Sequence, residues 1–550
     1  MIFQRGITLT SCVLKILENV IGRRIEPEIK KNSTPLQGGG KTDESPEEYL
    51  FVIQTIIDLN KLRNRPSKLI ITDVEKAFDQ AWRLGVFDNL ANKRGIKGEI
   101  LELVWKINSN VRARIKEDIK THSEEFTAEE SIRQGGGLSA ILYGQHVSSV
   151  VEDLEEEKMG PKIGGIHVPA LAWQDDVTLI PNNKEEEYRM IDNFERSTEK
   201  NRIKLAIKKK TKALNIGGED LEPTVMKGEI VKETDNAKIL GYTFNSKGNP
   251  ETHLSNRETE TISMMANMGL SIQENNMDRI YTQSLLILHK KCFVQKILHG
   301  LAGIPMQAKS LEQLELIDRK VLRNFLGLPS CTPKISLYNE LGVIPIKLNL
   351  WKRKLGMWWR LSQEKANVLM KECRKEQINS GLPWIVQLNE IACQLKIDLD
   401  NAKTMTKYSW KTEIKKKIRI EAQKLLETEI EGLKGYRENI KDEIIVGKKK
   451  RYVSLTQKKA KVWFRMRANI IDPAPRRPYN PSSIWKCKFC DAEEQSTKHY
   501  IKMCRGIKQE IFREINRDDV YQIIQTLECS EYTFNQVTQI LTKIYVLVTA

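Results

Sequence analysis

The stretch Leu171-Ala172-Trp173-Gln174-Asp175-Asp176-Val177-Thr178-Leu179-Ile180 constrains this chain more than any other, because it sets two adjacent acids between short apolar runs. Neighbouring side chains on a regular strand point to opposite faces, so adjacent acids share one site only where the chain turns. The flanks suit strands, and the stretch reads as a β-hairpin with Asp175 and Asp176 at its tip. Two close carboxylates resist ionising together unless a divalent cation neutralises them, and Mg²⁺, hard and oxygen-seeking, suits the pair. Taken alone, such a pair also fits a solvated turn.

A third carboxylate changes the balance. The β-branched run Lys68-Leu69-Ile70-Ile71-Thr72 ends at Asp73, and a helix is expected to follow. If the hairpin pairs beside that strand, three acids converge. This is the minimal set for a two-metal site, in which one ion activates a primer 3′-hydroxyl and the other holds a triphosphate and its leaving group. The chemistry implied is nucleotidyl transfer.

At these residues the sequence resembles the reverse transcriptase of non-LTR (LINE-type) retrotransposons. Asp73-Val74-Glu75-Lys76-Ala77-Phe78-Asp79 resembles the family's first palm motif, Trp173-Gln174-Asp175-Asp176 its aromatic-x-Asp-Asp motif, and Arg133-Gln134-Gly135-Gly136-Gly137-Leu138-Ser139 the motif between them. The resemblance implies an α+β right-hand polymerase with fingers, a palm with an antiparallel sheet and a helical thumb, followed by a helical C-terminal region and a small zinc knuckle. It assigns Asp73, Asp175 and Asp176 to two Mg²⁺ ions, with a backbone carbonyl from Val74. Phe78 becomes a steric gate against a 2′-hydroxyl, and Arg133, Gln134 and Gly135 contact the nucleotide. Arg5 becomes a phosphate clamp, Lys210 a proton donor or charge stabiliser at the pyrophosphate, and Gly241 the turn of the primer grip.

Each of these has a plainer alternative: a core phenylalanine, a surface arginine, a glycine turn before a helix, a solvated lysine run. Where the family carries Cys-Pro or a similar pair, this chain has Gly136-Gly137, and three glycines cost more entropy to order, which implies a looser site. Gln37-Gly38-Gly39-Gly40-Lys41 stands in the place of the family's Gln-x-Gly-Phe-Arg loop without its aromatic, and a flexible loop fits equally. By the same resemblance the chain begins inside the fingers, with neither the preceding strand nor an upstream endonuclease.

The expected organisation is fingers and palm over 1–250, thumb over 251–363, a basic helical connector over 364–470 and the knuckle region over 471–550. The helical patterns run through Leu14, Ile16, Leu17, Val20 and Ile21, through Tyr49 to Leu59, and through Tyr281, Leu285, Leu288 and Cys292. A net charge of +17 points to a polyanionic partner, since clustered Lys and Arg gain affinity by releasing counterions from phosphates. Basic runs near Trp410, Tyr452, Trp463 and Phe464 could bind RNA by phosphate contact and base stacking, although a connector with solvated charges is the preferred reading. No apolar run approaches a membrane span, so an intracellular protein with no membrane partner is expected.

Six of the nine cysteines, Cys12, Cys292, Cys331, Cys373, Cys393 and Cys529, form no disulfide pattern and are expected as reduced, mostly buried thiols. The other three, Cys487, Cys490 and Cys504, fall around His499 in a C-x2-C-x8-H-x4-C pattern suited to one structural Zn²⁺. Prolines 473, 475, 478 and 481 mark a linker before it, and Trp485, Phe489 and Tyr500 offer stacking surfaces.

The function expected is RNA-directed DNA synthesis, with template RNA, a DNA primer or target and deoxynucleoside triphosphates as partners. The resemblance places it in the nucleus and in cytoplasmic ribonucleoprotein. A polymerase remnant that binds nucleic acid without copying it is the first alternative, and a splicing maturase sharing the palm is the second.

Overall fold

Leu69 and Ile70 are fully buried on β1 (Ser67–Thr72), the middle strand of a five-stranded sheet. The computed structural model describes residues 7–116, 121–128, 130–218, 222–270, 280–440, 446–447, 450–470, 487, 489–490, 492 and 496–549. Two compact units result. The first comprises Met1–His253, Gly300–Pro305 and Met357–Asn389; the second comprises Leu254–His299, Met306–Gly356 and Glu390–Ala550.

In the first unit, β1 is joined by β2 (Ala170–Trp173), β3 (Asp176–Leu179), β4 (Lys212–Ile216) and β5 (Lys232–Glu233) in the order β5-β4-β1-β3-β2. All pairings are antiparallel except β5 on β4, which gives the antiparallel palm sheet expected, with one parallel edge. Three helices matter for the site: α1 (Cys12–Asn32), α2 (Pro46–Leu62) and α3 (Ser139–Glu156). Ser45 caps α2 by accepting from the Glu47 amide, and Pro46 opens its first turn, where a missing N–H costs nothing.

Every residue of α2 from Glu48 to Leu59 is buried, so this helix is enclosed on all sides rather than amphipathic. That enclosure has a measurable consequence. Burial pushes the Asp58 carboxyl up to about 6, although Gln54 Nε2 donates to its Oδ1 at 2.8 Å. A raised carboxyl pKa means stability that is full below the unfolded value and is lost as pH rises to about 6. Asp58→Asn should therefore stabilise the protein by about 2–3 kcal/mol at pH 7.5 and by almost nothing at pH 4, read as thermal midpoints at the two pH values.

Three local expectations need correcting. The helix expected after Asp73 is delayed: residues 75–80 are turns, with Lys76 at φ 44°, and regular helix begins at Arg83. On α1 the buried face is Glu18, Ile21, Gly22, Ile25, Glu26 and Ile29, while Ile16, Leu17 and Val20 are exposed. Of the six scattered cysteines only Cys373 is buried, and Cys12, Cys331 and Cys393 are exposed.

The second unit is helical, built from α4 (Thr282–Leu288), α5 (Ala308–Leu326), α6 (Ile346–Leu361) as far as Gly356, α7 (Lys407–Glu431), α8 (Gln457–Arg467), α9 (Arg517–Thr526) and α10 (Glu531–Thr549), among others. After α4 a π-turn at His289–Phe293 inserts a residue and rotates the face, so Leu285, Leu286, His289 and Phe293 are buried and Tyr281 is exposed. One apolar core runs from Leu286 through Leu322, Trp463 and Tyr500 to Val548.

Of the aromatics considered for base stacking, Tyr452, Trp463, Phe464 and Tyr500 belong to this core. Trp410, Tyr452, Trp463, Phe464 and Tyr500 are all buried, and Trp463 stacks between Tyr452 and Phe534. Trp410 spends its indole N–H on the Leu355 carbonyl at 2.9 Å. Their sequence neighbours are charged because the helices are amphipathic, which hid the burial. Phe489 is half-buried, while Trp485 and the four linker prolines lie outside the described residues. Among the described residues, no helix is long and apolar enough to cross a membrane.

Candidate active site and metal centre

Strand register brings the first acids together. β1 pairs with β3 as Ile70↔Leu179, Ile71↔Thr178 and Thr72↔Val177, and the Thr72 hydroxyl donates to the Val177 carbonyl at 2.9 Å. One further step along this register sets Asp73 opposite Asp176. The chain leaving Asp73 stays pinned: Val74 bridges Leu205, the Ala206 amide donates to the Asp73 carbonyl at 2.9 Å, and the Glu75 amide donates to Lys204 at 2.8 Å. A short helical turn, Ile207–Lys210, then carries Lys210 Nζ to 2.8 Å from Asp73 Oδ2. Lys210, 137 residues downstream, is thus the cation beside the first acid.

The hairpin has a two-residue turn, Gln174-Asp175, closed by the Trp173↔Asp176 pair. Asp175 is half-buried and Asp176, the first residue of β3, is exposed. Gln174 sits at φ 59°, a left-handed conformation that a non-glycine residue adopts at a cost. The compensation comes from Gln37, which is fully buried. Its Oε1 accepts from the Gln174 amide at 3.1 Å and the Gly39 amide at 2.8 Å, and its Nε2 donates to the Gln174 carbonyl at 3.2 Å. Gln174 Nε2 in turn donates to the Ala140 carbonyl at 2.9 Å.

The glycine loop is therefore packed. A Cβ on Gly39 would lie 2.3 Å from the Gln174 nitrogen, and one on Gly38 2.3 Å from the Tyr49 ring. Gln37→Ala should remove both backbone contacts to the turn and lower primer extension about 10- to 100-fold through kcat with KM little changed. Single-turnover kinetics check this, and an unchanged rate would remove Gln37 from the support of the acids.

Beneath the acids lies Tyr143 on α3, buried and stacked on Phe78 with centroids 4.7 Å apart. Burial, then the charges of Asp175 and Asp73, push its phenol well above the ordinary range, so it stays protonated. Phe78 is half-buried, and its carbonyl accepts from the Ile132 amide at 2.9 Å.

The motif between the acids closes against α1. Arg133 Nη2 pairs with the buried Glu18 at 2.7 Å, and the other Glu18 oxygen accepts from the Gly137 amide at 2.5 Å. The Thr8 amide donates to the Gln134 carbonyl at 2.8 Å, and Gly135, at φ 114°, leaves no room for a Cβ, which would lie 2.9 Å from the Thr8 carbonyl oxygen. Contact with Thr8 at Gly135, and with Glu18 of α1 at Gly136 and Gly137, thus accounts for glycines here in packing terms. The Gln134 side chain is half-exposed. Arg5 lies outside the described residues.

Gly241 occupies the turn expected of it. Strands Asn236–Ile239 and Tyr242–Asn245 pair as Ile239↔Tyr242, and Leu240 and Gly241 stand at φ 46° and 83°, the two positive values of a type I′ hairpin turn.

Cys487, Cys490, His499 and Cys504 meet, with their ligand atoms all within 4.8 Å of one another. The Sγ atoms of Cys487 and Cys504 are 3.6 Å apart, those of Cys490 and Cys504 3.8 Å, and Cys490 Sγ lies 3.3 Å from His499 Nε2. A tetrahedron with Zn–S bonds of 2.3 Å has edges of about 3.8 Å, so the donors fit zinc. The site is braced: the Cys504 amide donates to the His499 carbonyl, Arg517 Nη1 donates to the Cys504 carbonyl, and the Thr497 hydroxyl donates to Met466 at the end of α8. Among the described residues this is the only such Cys/His group.

Residues 3–244 match the protein family described as reverse transcriptase (RNA-dependent DNA polymerase). Two curated relatives are Pol polyproteins of R2 elements. That of the type-2 element R2DM of Drosophila melanogaster is 21% identical over 415 residues, covering 72% of this chain and 38% of that protein. That of the type-1 element R2 of Popillia japonica is 22% identical over 180 residues, covering 32% of this chain and 25% of that protein. The chain thus matches well under half the length of either relative. Among solved structures, apo telomerase from Candida tropicalis is similar at a TM-score of 0.32 and 14% identity, covering 57% of this chain and 53% of that one.

Reverse transcriptases use divalent metal ions, which accords with acids at the neighbouring ends of β1 and β3. Motif reading missed Tyr143, and it matched Gln37 to the family's Gln-x-Gly-Phe-Arg loop without foreseeing its hold on the hairpin turn. For Gln37 a signal existed, since a glutamine before three glycines suits a side chain that hydrogen-bonds a tight backbone. Tyr143 carries no local signal.

Proposed function

We propose that the chain is the RNA-directed DNA polymerase of a LINE-type retroelement, extending a DNA primer on an RNA template by target-primed synthesis. The observation that carries this reading is the β1–β3 register that sets Asp73 opposite Asp176, beside the Asp175 turn and against Lys210. Asp73, Asp175 and Asp176 would hold two Mg²⁺ ions, which when bound supply activation of the 3′-hydroxyl and neutralisation of the triphosphate.

The chain's own residues do the rest. Lys210 keeps Asp73 neutralised, then turns to the pyrophosphate, where an ammonium stabilises developing charge. Gln37 holds the hairpin turn, so Asp175 keeps its aim. Phe78, backed by Tyr143, closes the pocket against a 2′-hydroxyl. Gln134 and Gly135 line the nucleotide, with Val74 offering its carbonyl, Arg5 the triphosphate end and Gly241 the primer. Arg133 acts through Glu18, bracing the glycine motif on α1. One structural Zn²⁺ belongs at Cys487, Cys490, His499 and Cys504. The same reading makes template RNA, a DNA primer or target and deoxynucleoside triphosphates the partners, and nuclear and cytoplasmic ribonucleoprotein the setting.

The test is primer extension with purified protein, an RNA template, a DNA primer, deoxynucleotides and Mg²⁺. Template-dependent DNA products support the proposal. No product from folded protein that still binds the template would instead identify a polymerase remnant.

A further inference from the structure

The second unit carries a concentration of positive charge that the polymerase site does not use. Three cations, Lys411, Lys415 and Arg419, lie one turn apart along α7, about 6 Å per step. They flank a buried stripe of Trp410, Ile414, Ile418, Ala422, Leu426 and Ile430. The Trp410 bond to Leu355 ties α7 to α6, three residues beyond Lys352. Arg353 then donates to the Leu298 carbonyl and to Gln295, whose amide donates to the Lys290 carbonyl. Packing therefore gathers Lys290, Lys352, Lys411, Lys415 and Arg419 from three segments of one unit.

All five are exposed, and none forms an ion pair among the described residues. After burial, the influences that most lower the Lys352 ammonium are the charges of Lys290, Lys415, Lys411 and Arg419, all positive. Like charges one helical turn apart oppose helix formation. A solvated basic face ordinarily interleaves acids, as at Lys334–Glu429 farther along the same helix. Five cations gathered without an ion pair among the described residues repel one another, and a bound polyanion would relieve that repulsion.

We propose that these five residues clamp the sugar-phosphate backbone of a single-stranded polynucleotide, without regard to base or sugar. Helix-borne cations at one-turn spacing can follow successive phosphates, and their contribution comes from counterion release. The site contains none of the polymerase acids and acts without nucleotides or divalent ions.

The experiment measures binding of the full chain to labelled 25-nucleotide RNA and DNA of one sequence, by fluorescence anisotropy across NaCl concentrations, with no nucleotide or divalent ion present. Lys352→Glu/Lys415→Glu should weaken binding of both strands at least about 10-fold and flatten the salt slope by roughly 1.4. The control Lys508→Glu/Lys543→Glu changes net charge equally on exposed lysines elsewhere in the unit. A neutral version, Lys352→Gln/Lys415→Gln, should raise the thermal midpoint while lowering affinity, a pairing that misfolding would not produce. Equal weakening by control and clamp variants, an unchanged slope, or a loss confined to one sugar type would overturn the proposal. Because the assay omits synthesis, its outcome is separate from that of primer extension.

Discussion

Asp175→Asn is expected to lower RNA-templated primer extension on the order of 10³-fold or more, while affinity for template and primer stays the same or rises. The substitution keeps size and hydrogen bonding but removes one anion from a turn whose geometry Gln37 and Trp173 maintain independently. Stability should change little, since Asp175 is half-exposed. Tighter binding of a polyanion is expected because one repelling charge is gone. Extension at wild-type rate would remove Asp175 from the site, and a large loss of affinity would mean that it serves structure instead.

Purified protein is expected to hold one equivalent of zinc, and Cys487→Ser is expected to release it and to lower the thermal midpoint of the second unit by about 10 °C. Cys487 and Cys504 are buried in the core that also contains Leu322, Trp463 and Val548, so the metal would tie the tail into a packed body. The effect should therefore reach beyond the knuckle itself. Zinc content by atomic absorption and a melting curve decide the matter. Zinc retained at one equivalent would contradict the ligand assignment.

Much of the site was legible because its signals are local in the chain. An apolar run ending in Asp73, a turn carrying Asp175 and Asp176, and the Cys/His spacing each report on their own few residues. The sheet confirmed that the hairpin lies beside β1, and the contact of Lys210 with Asp73 supports the choice of that lysine from a run of three. What escaped depends on distance along the chain. Gln37 meets Gln174 across 137 residues, and its place before three glycines suits a backbone-binding side chain without naming that partner. Tyr143 matters through the fold of α3 under the acids. The buried aromatics of the second unit misled because a helix with one apolar stripe surrounds each core residue with charged neighbours. The glycines of residues 135–137 read as looseness, whereas Glu18 and Thr8 press against them.

The central claim concerns where a divalent ion sits, and anomalous diffraction from crystals grown with Mn²⁺, primer-template and a non-reacting nucleotide tests it most directly. The account predicts manganese within about 2–2.5 Å of carboxylate oxygens from Asp73 and Asp175, with Asp176 alongside and Lys210 moved off Asp73 towards the triphosphate. Manganese bound elsewhere, with Lys210 still on Asp73 and no peak among the three acids, would contradict it.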